Sequence, residues 1–134
     1  MTAEANIKTI QTVYEAFGRG DVATILDAVT DDVDWASEAA GKAAPWYGVH
    51  HGRDGVAAFF TEFGSTMDVE EFAPLTFAAT DTEVLTVVRF ASKAKTTGRR
   101  SAMELHHYFR FDGSKISYYR GTEDTAQTEA ALAP

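Results

Sequence analysis

The chain has no cysteine, which excludes disulfides, thiolate nucleophiles and cysteine-ligated zinc together. Proline is scarce, at three in 134 residues, so long strands and helices can run with few breaks. Positive charge is also short: 12 Lys and Arg stand against 20 Asp and Glu, for a net charge of −8. The densest basic run is Gly98-Arg99-Arg100, too little to neutralise a phosphate backbone or an anionic lipid surface. Neither nucleic acid nor membrane is therefore an expected partner. No apolar run approaches the roughly 18 residues of a membrane span, and Met1-Thr2-Ala3-Glu4-Ala5-Asn6 has neither the basic nor the apolar region of a secretory leader. The expected location is the cytoplasm. No phosphate loop, dinucleotide fingerprint or Gly-x-Ser-x-Gly elbow occurs, so no nucleotide cofactor and no serine-hydrolase chemistry is expected.

Apolar side chains are abundant. Hydrophobic residues make up 45% and aromatics 12%, with nine Phe, enough for a core that encloses a cavity. The length suits one domain, taken as residues 1–134, burying about two-thirds of its unfolded surface.

Ile7, Ile10, Val13, Tyr14 and Phe17 recur at helical spacing and stop at Gly18-Arg19-Gly20. Asp21 caps a second helix carrying Val22, Ile25, Leu26 and Val29 on one face. Val33-Asp34-Trp35 reads as a short strand entering an irregular segment, 38–52, whose length implies a role. A third helix, Arg53 to Phe63, ends at Gly64. Strands follow: Met67 to Phe77, which Pro74 demotes to an edge or a bulge; Glu83 to Thr96; Ser101 to Phe111; and Lys115 to Thr122. Asp112-Gly113 turns the last pair, and the tail, Asp124 to Leu132, forms a short helix or frays. Helices followed by antiparallel strands make an α+β order. The long strands carry apolar residues on both faces, so a second cover is needed. Dimerisation through the outer sheet face supplies one, with Val84, Val88, Phe90, Tyr108 and Tyr118 at the interface.

Alternation in the Met103–Phe111 strand puts His107 with Met103, Leu105, Phe109 and Phe111, opposite Glu104, His106, Tyr108 and Arg110. An imidazole on such a face is either a core group satisfied by one hydrogen bond or the working group of an apolar pocket. The pairs His50-His51 and His106-His107 do not suggest a metal, because neighbours on a strand point to opposite faces.

The segments Val13-Tyr14-Glu15-Ala16-Phe17-Gly18-Arg19-Gly20-Asp21, Asp31-Asp32-Val33-Asp34-Trp35, Gly52-Arg53-Asp54-Gly55-Val56-Ala57-Ala58-Phe59-Phe60 and Phe111-Asp112-Gly113-Ser114-Lys115-Ile116 resemble, in that order, a SnoaL-like member of the nuclear transport factor 2 superfamily. The superfamily also houses ketosteroid isomerases, limonene epoxide hydrolases and polyketide cyclases. The resemblance implies a cone: a curved, mixed but mainly antiparallel sheet packed on three helices of the N-terminal half, around an internal cavity. Tyr14, Phe17, Trp35, Ser37 and Trp46 would line it, and His107 falls where SnoaL-like proteins place a cavity-facing histidine. The family's catalytic groups are missing. The acid of cyclases and epoxide hydrolases aligns with Gly121, the carboxylate of an Arg-x-Asp pair with Ala91 in Arg89-Phe90-Ala91, and the isomerase base lies near Ser37.

These readings converge on a cavity for a small apolar or carbonyl-bearing molecule, with no metal and no cofactor. Any chemistry would be isomerisation, cyclisation or hydration, with His107 as acid/base and Tyr14 as oxyanion donor. Phe59, Phe63, Leu105, Phe109 and Tyr119 join the ligand-binding wall, and Arg89, if it points inward, needs Glu123 as its partner. The alternative is a non-catalytic ligand-binding or dimeric association module.

Overall fold

The computed structural model describes residues 2–134. Its elements are α1 (Ala3–Gly18), α2 (Val22–Asp27), β1 (Val29–Ser37), β2 (Gly48–His51), α3 (Gly52–Thr66), β3 (Met67–Ala79), β4 (Glu83–Ala94), β5 (Arg100–Asp112), β6 (Lys115–Thr122) and α4 (Thr125–Leu132). The helix starts are set by side chains: Thr2, Asp21 and Asp124 each accept from a backbone N–H of the first turn, at Ala5, Thr24 and Gln127. The strands form one sheet in the order β2-β1-β6-β5-β4-β3, antiparallel throughout except between β1 and β6. It is a curved, unclosed sheet. α1 packs on β3 and β4, and α3 on β1 and β2, so the concave face is covered and the arrangement is the α+β cone. Ile10, Ile25, Val29, Val33, Val56, Val84, Val88 and Ile116 are fully buried between the layers. Each such side chain contributes about 1.5–3 kcal/mol by leaving water.

Gly113 lies between the paired residues Asp112 and Lys115 at φ 61°, a backbone state that L side chains disfavour and that suits the first position of a two-residue hairpin turn. Pro74 sits in β3 at the open edge of the sheet, beside a register shift between Pro74 and Thr76; there its missing N–H breaks no interior ladder.

Several boundaries differ from the sequence reading. α2 stops at Asp27 and Val29 opens β1, which is much longer than Val33–Trp35; a fully buried Val suits both a helix face and a strand, and pairing with Ile116 of β6 decides it. The 38–52 segment contains β2, which pairs with β1 through Trp35 opposite His50. α3 continues through Gly64 to Thr66. The tail is a docked helix. The Gln127 side chain bonds both backbone groups of Ala102, and Arg99 Nη1 donates to the carbonyls of Ala130 and Ala133, each at 2.8 Å.

The phase of β4 is the main correction. Val84, Val88 and Phe90, expected at a dimer interface, point into the cone, while Leu85 and Arg89 point out. β4 is apolar on both faces, so its own pattern leaves the phase open. Its pairing with β5 settles it: Val84 faces Phe109, Thr86 faces His107 and Val88 faces Leu105, and residues directly opposite share a face.

Candidate functional site

A cavity of about 90 Å³ lies inside the cone between α1, α3 and strands β1, β3, β4, β5 and β6. That is room for several waters, or for a small ring system in their place. Of the side chains expected at a site, Tyr14, Phe17, Trp35, Ser37, Trp46, Phe59, Phe63, Leu105, His107, Phe109, Tyr119 and Glu123 all line it. Arg89 does not. It is exposed on the outer face, opposite Glu104 of β5, so Glu123 is not its partner.

Phe60, Phe72 and Phe90 complete the aromatic wall, and none of them had been expected there. Phe60 carried a readable signal, since it falls four residues after Val56 and three before Phe63 on one helix, whereas only the fold shows that α1 covers the strand of Phe72. Phe90 was lost with the phase of β4. The rings meet mainly edge-on or tilted, as with Tyr14 and Phe72 at 5.0 Å, whereas Trp35 and Tyr119 stack at 4.1 Å. The stack holds the Tyr119 ring against the β1–β6 seam.

Polar groups are few and ordered. The Tyr14 hydroxyl sits between Thr86 Oγ1, at 2.6 Å, and His107 Nδ1, at 2.7 Å. Thr86, buried and unmarked in the sequence reading, is directly opposite His107 on the neighbouring strand. The Tyr14 hydroxyl is thus engaged on both sides. Burial disfavours charge on all three rings: it raises the Tyr14 and Tyr119 phenols above their usual range and lowers His107 to about 3, with His106 adding to the last shift. His107 is thus neutral at pH 7. Its Nε2 and the Tyr119 hydroxyl have no hydrogen-bond partner among the described residues, and both are open to the cavity. Trp35 Nε1 is a buried donor without a partner in the same wall.

Gly121 explains how the two open groups come close. A Cβ placed there would lie 2.2 Å from the Tyr119 hydroxyl oxygen and 3.3 Å from His107 Cδ2, so glycine leaves the hollow that the phenol tip occupies. At the mouth, Glu123 accepts from Trp46 Nε1 at 3.2 Å, Tyr47 Oη at 3.3 Å and the Thr128 hydroxyl. It ties the 38–47 segment to α4 across the rim. Of the four histidines, His106 points outward and His51 is exposed, while His50 Nε2 lies 3.1 Å from the Trp46 carbonyl. Among the described residues no three His, Asp or Glu side chains gather as a metal site.

Residues 10–119 match the SnoaL-like domain family, and the chain belongs to that family. No curated protein matches it by sequence. Among solved structures it is similar to an NTF2-like protein from Burkholderia xenovorans, at 25% identity over 98% of each chain with a TM-score of 0.87. It also superposes on an NTF2-like protein of unknown function from Burkholderia pseudomallei, at 24% identity over 97% of this chain and 98% of that one, with a TM-score of 0.89. A third is TerC, co-crystallized with polyporic acid, at 19% identity over 97% and 99% of the two chains with a TM-score of 0.85. The likenesses below 25% identity show the shared fold. Among the described residues no helix is long and apolar enough to cross a membrane.

Proposed function

We propose that this SnoaL-like protein receives a small, largely apolar, cyclic or carbonyl-bearing molecule inside its cone. The observation that carries the reading is the cavity itself: aromatic side chains from helices and strands wall a space that their packing leaves open, with only a few polar atoms turned into it. TerC, similar in fold, was co-crystallized with polyporic acid. Binding of the uncharged dye N-phenyl-1-naphthylamine tests the reading. One molecule should bind per chain with enhanced fluorescence, and Ser37→Phe, which fills the cavity, should abolish it. No saturable binding would overturn the proposal.

A second reading adds cofactor-free proton transfer, such as isomerisation, cyclisation or hydration, with His107 as acid/base. The Tyr14–His107 contact favours it, because a polar pair inside an apolar pocket is what such chemistry needs. Burial works against it, since a ring held neutral down to about pH 3 is a weak base. Retention of a deuteron at an exchangeable carbon of a bound ketone would argue for binding alone; its washout, lost in His107→Phe, would establish the catalytic reading.

The outer face is proposed to join two copies. Leu85 is 51% exposed there, beside Val87 on its strand and Tyr108 and Tyr118 on the neighbouring ones. The row replaces the interface expected around Val84, Val88 and Phe90. Light scattering should give twice the 14.6 kDa chain mass, falling to the monomer in Leu85→Asp; a monomer at micromolar concentration would refute it.

A further inference from the structure

The hydrogens of the Thr86–Tyr14–His107 chain can run in two directions. In one, Thr86 donates to Tyr14, Tyr14 donates to His107 Nδ1, and the ring carries its single proton on Nε2. In the other, Nδ1–H donates to Tyr14 and Tyr14 donates to Thr86. The Thr86 hydrogen is then left over, because its oxygen has no other partner among the described residues. Thr86 is 3% exposed, so that hydrogen would lose water and gain nothing, which is the more expensive outcome for a buried donor. The first direction satisfies both hydroxyls and Nδ1 and turns the remaining N–H into the cavity.

We propose that the cavity is a receptor for a carbonyl-type oxygen, in which His107 Nε2–H and the Tyr119 O–H donate together to one uncharged acceptor atom of the ligand. Tyr14 and Thr86 are positioning residues that hold the His107 tautomer. The inference rests on the reading of the cavity as a site for a small apolar ring molecule. Both donors lie over Gly121, Tyr119 by its hydroxyl and His107 by the Cδ2 edge next to Nε2, which lets them converge. Trp35 fixes the tyrosine ring by stacking. No cationic side chain lines the cavity and a carboxylate, Glu123, does, so an anionic ligand gains no countercharge and loses its water. A neutral carbonyl gains two hydrogen bonds and occupies both of these donors.

Two measurements test this. In 15N-resolved imidazole spectra of the full chain at pH 7, His107 should show a protonated Nε2 and an unprotonated Nδ1; Tyr14→Phe, which cuts the chain, should give a mixture of tautomers. An Nδ1–H tautomer in the unaltered protein would overturn the proposal. Binding is then compared between 1-tetralone and tetralin, which differ by the carbonyl oxygen. Tetralone should bind about tenfold or more tightly, and Tyr119→Phe or His107→Phe should each reduce that preference over tetralin severalfold. His107→Gln, which keeps a donor, should retain most of it. If His107→Phe does not fold, Tyr119→Phe, which leaves the Thr86–Tyr14–His107 chain intact, carries the test alone. Equal binding of the two probes would overturn the donor pair while leaving the apolar-ligand reading in place, and binding of neither would overturn both.

Discussion

Acidification should weaken this protein partly through one ring, and the size of the effect follows from where His107 sits. Facing it are Tyr14 from α1, Thr86 from β4 and Tyr119 from β6. The carboxylate lining the same cavity, Glu123, is turned to Trp46, Tyr47 and Thr128. With no anion at hand, burial lowers the ring from its ordinary 6.5 to about 3. The unfolded chain therefore binds a proton that the folded chain refuses throughout that window. Stability conferred by the neutral ring is fully present above pH 6.5 and is lost as pH falls, at about 1.4 kcal/mol per pH unit, until the folded protein also protonates near pH 3. Between pH 6 and pH 4 the loss attributable to His107 is about 2.5 kcal/mol. Urea unfolding at both pH values, in the unaltered protein and in His107→Gln, isolates it, because the other titrating groups are common to the two. The unaltered protein should lose about 2.5 kcal/mol more than the variant over that interval. Equal losses, or an imidazole titration midpoint above 6 for His107, would refute the placement of this ring in a dry pocket.

Other consequences follow from the same geometry. Gly121→Ala should destabilise by about 1–3 kcal/mol through overpacking against Tyr119, and adding Tyr119→Phe should recover part of the loss; chemical denaturation of the double mutant measures the coupling, and additive effects would contradict the clash. Arg89→Ala should stay within about 0.5 kcal/mol of the parent and leave dye binding unchanged, as expected for an exposed side chain. Glu123→Ala strands three donors at the rim and should cost about 1–3 kcal/mol, with Trp46 emission shifting to the red as the 38–47 segment loosens. Prolonged chelation should leave the melting temperature unchanged, since His106 and His107 lie on opposite faces of β5; a drop would reveal a native-state metal.

Much of the fold was legible because several elements bear one clear period. α1 shows Ile10, Val13, Tyr14 and Phe17 on its buried face, and β5 alternates cleanly enough that the side of His107 could be read from parity alone. β4 fails that test. Its Val84, Val88 and Phe90 on one parity and Leu85 and Val87 on the other give no preference, and reading the wrong side sent Phe90 to the surface and Arg89 to the pocket. The remedy lay in the neighbour. Once β5 is known to turn His107 and Phe109 inward, an antiparallel partner joined by the short turn at Thr97–Arg100 has its phase set by residues directly opposite.

The site shows a different limit. Parity and resemblance could nominate His107 and Tyr14 separately, and both line the cavity. What they do to each other depends on Thr86, a residue with no mark in the sequence, 72 positions from Tyr14 and joined to it by 2.6 Å. On the proposed arrangement, a hydroxyl at that point turns the tyrosine hydrogen toward the histidine, and so sets which ring nitrogen carries the proton. Gly121 has the same character: read as the loss of a catalytic acid, it is also the vacancy that lets the Tyr119 hydroxyl reach the cavity. An acid there would displace the phenol, because its Cβ would stand 2.2 Å from the oxygen. A side chain at position 121 and the Tyr119 phenol are thus alternatives for one space, and in this chain the phenol fills it.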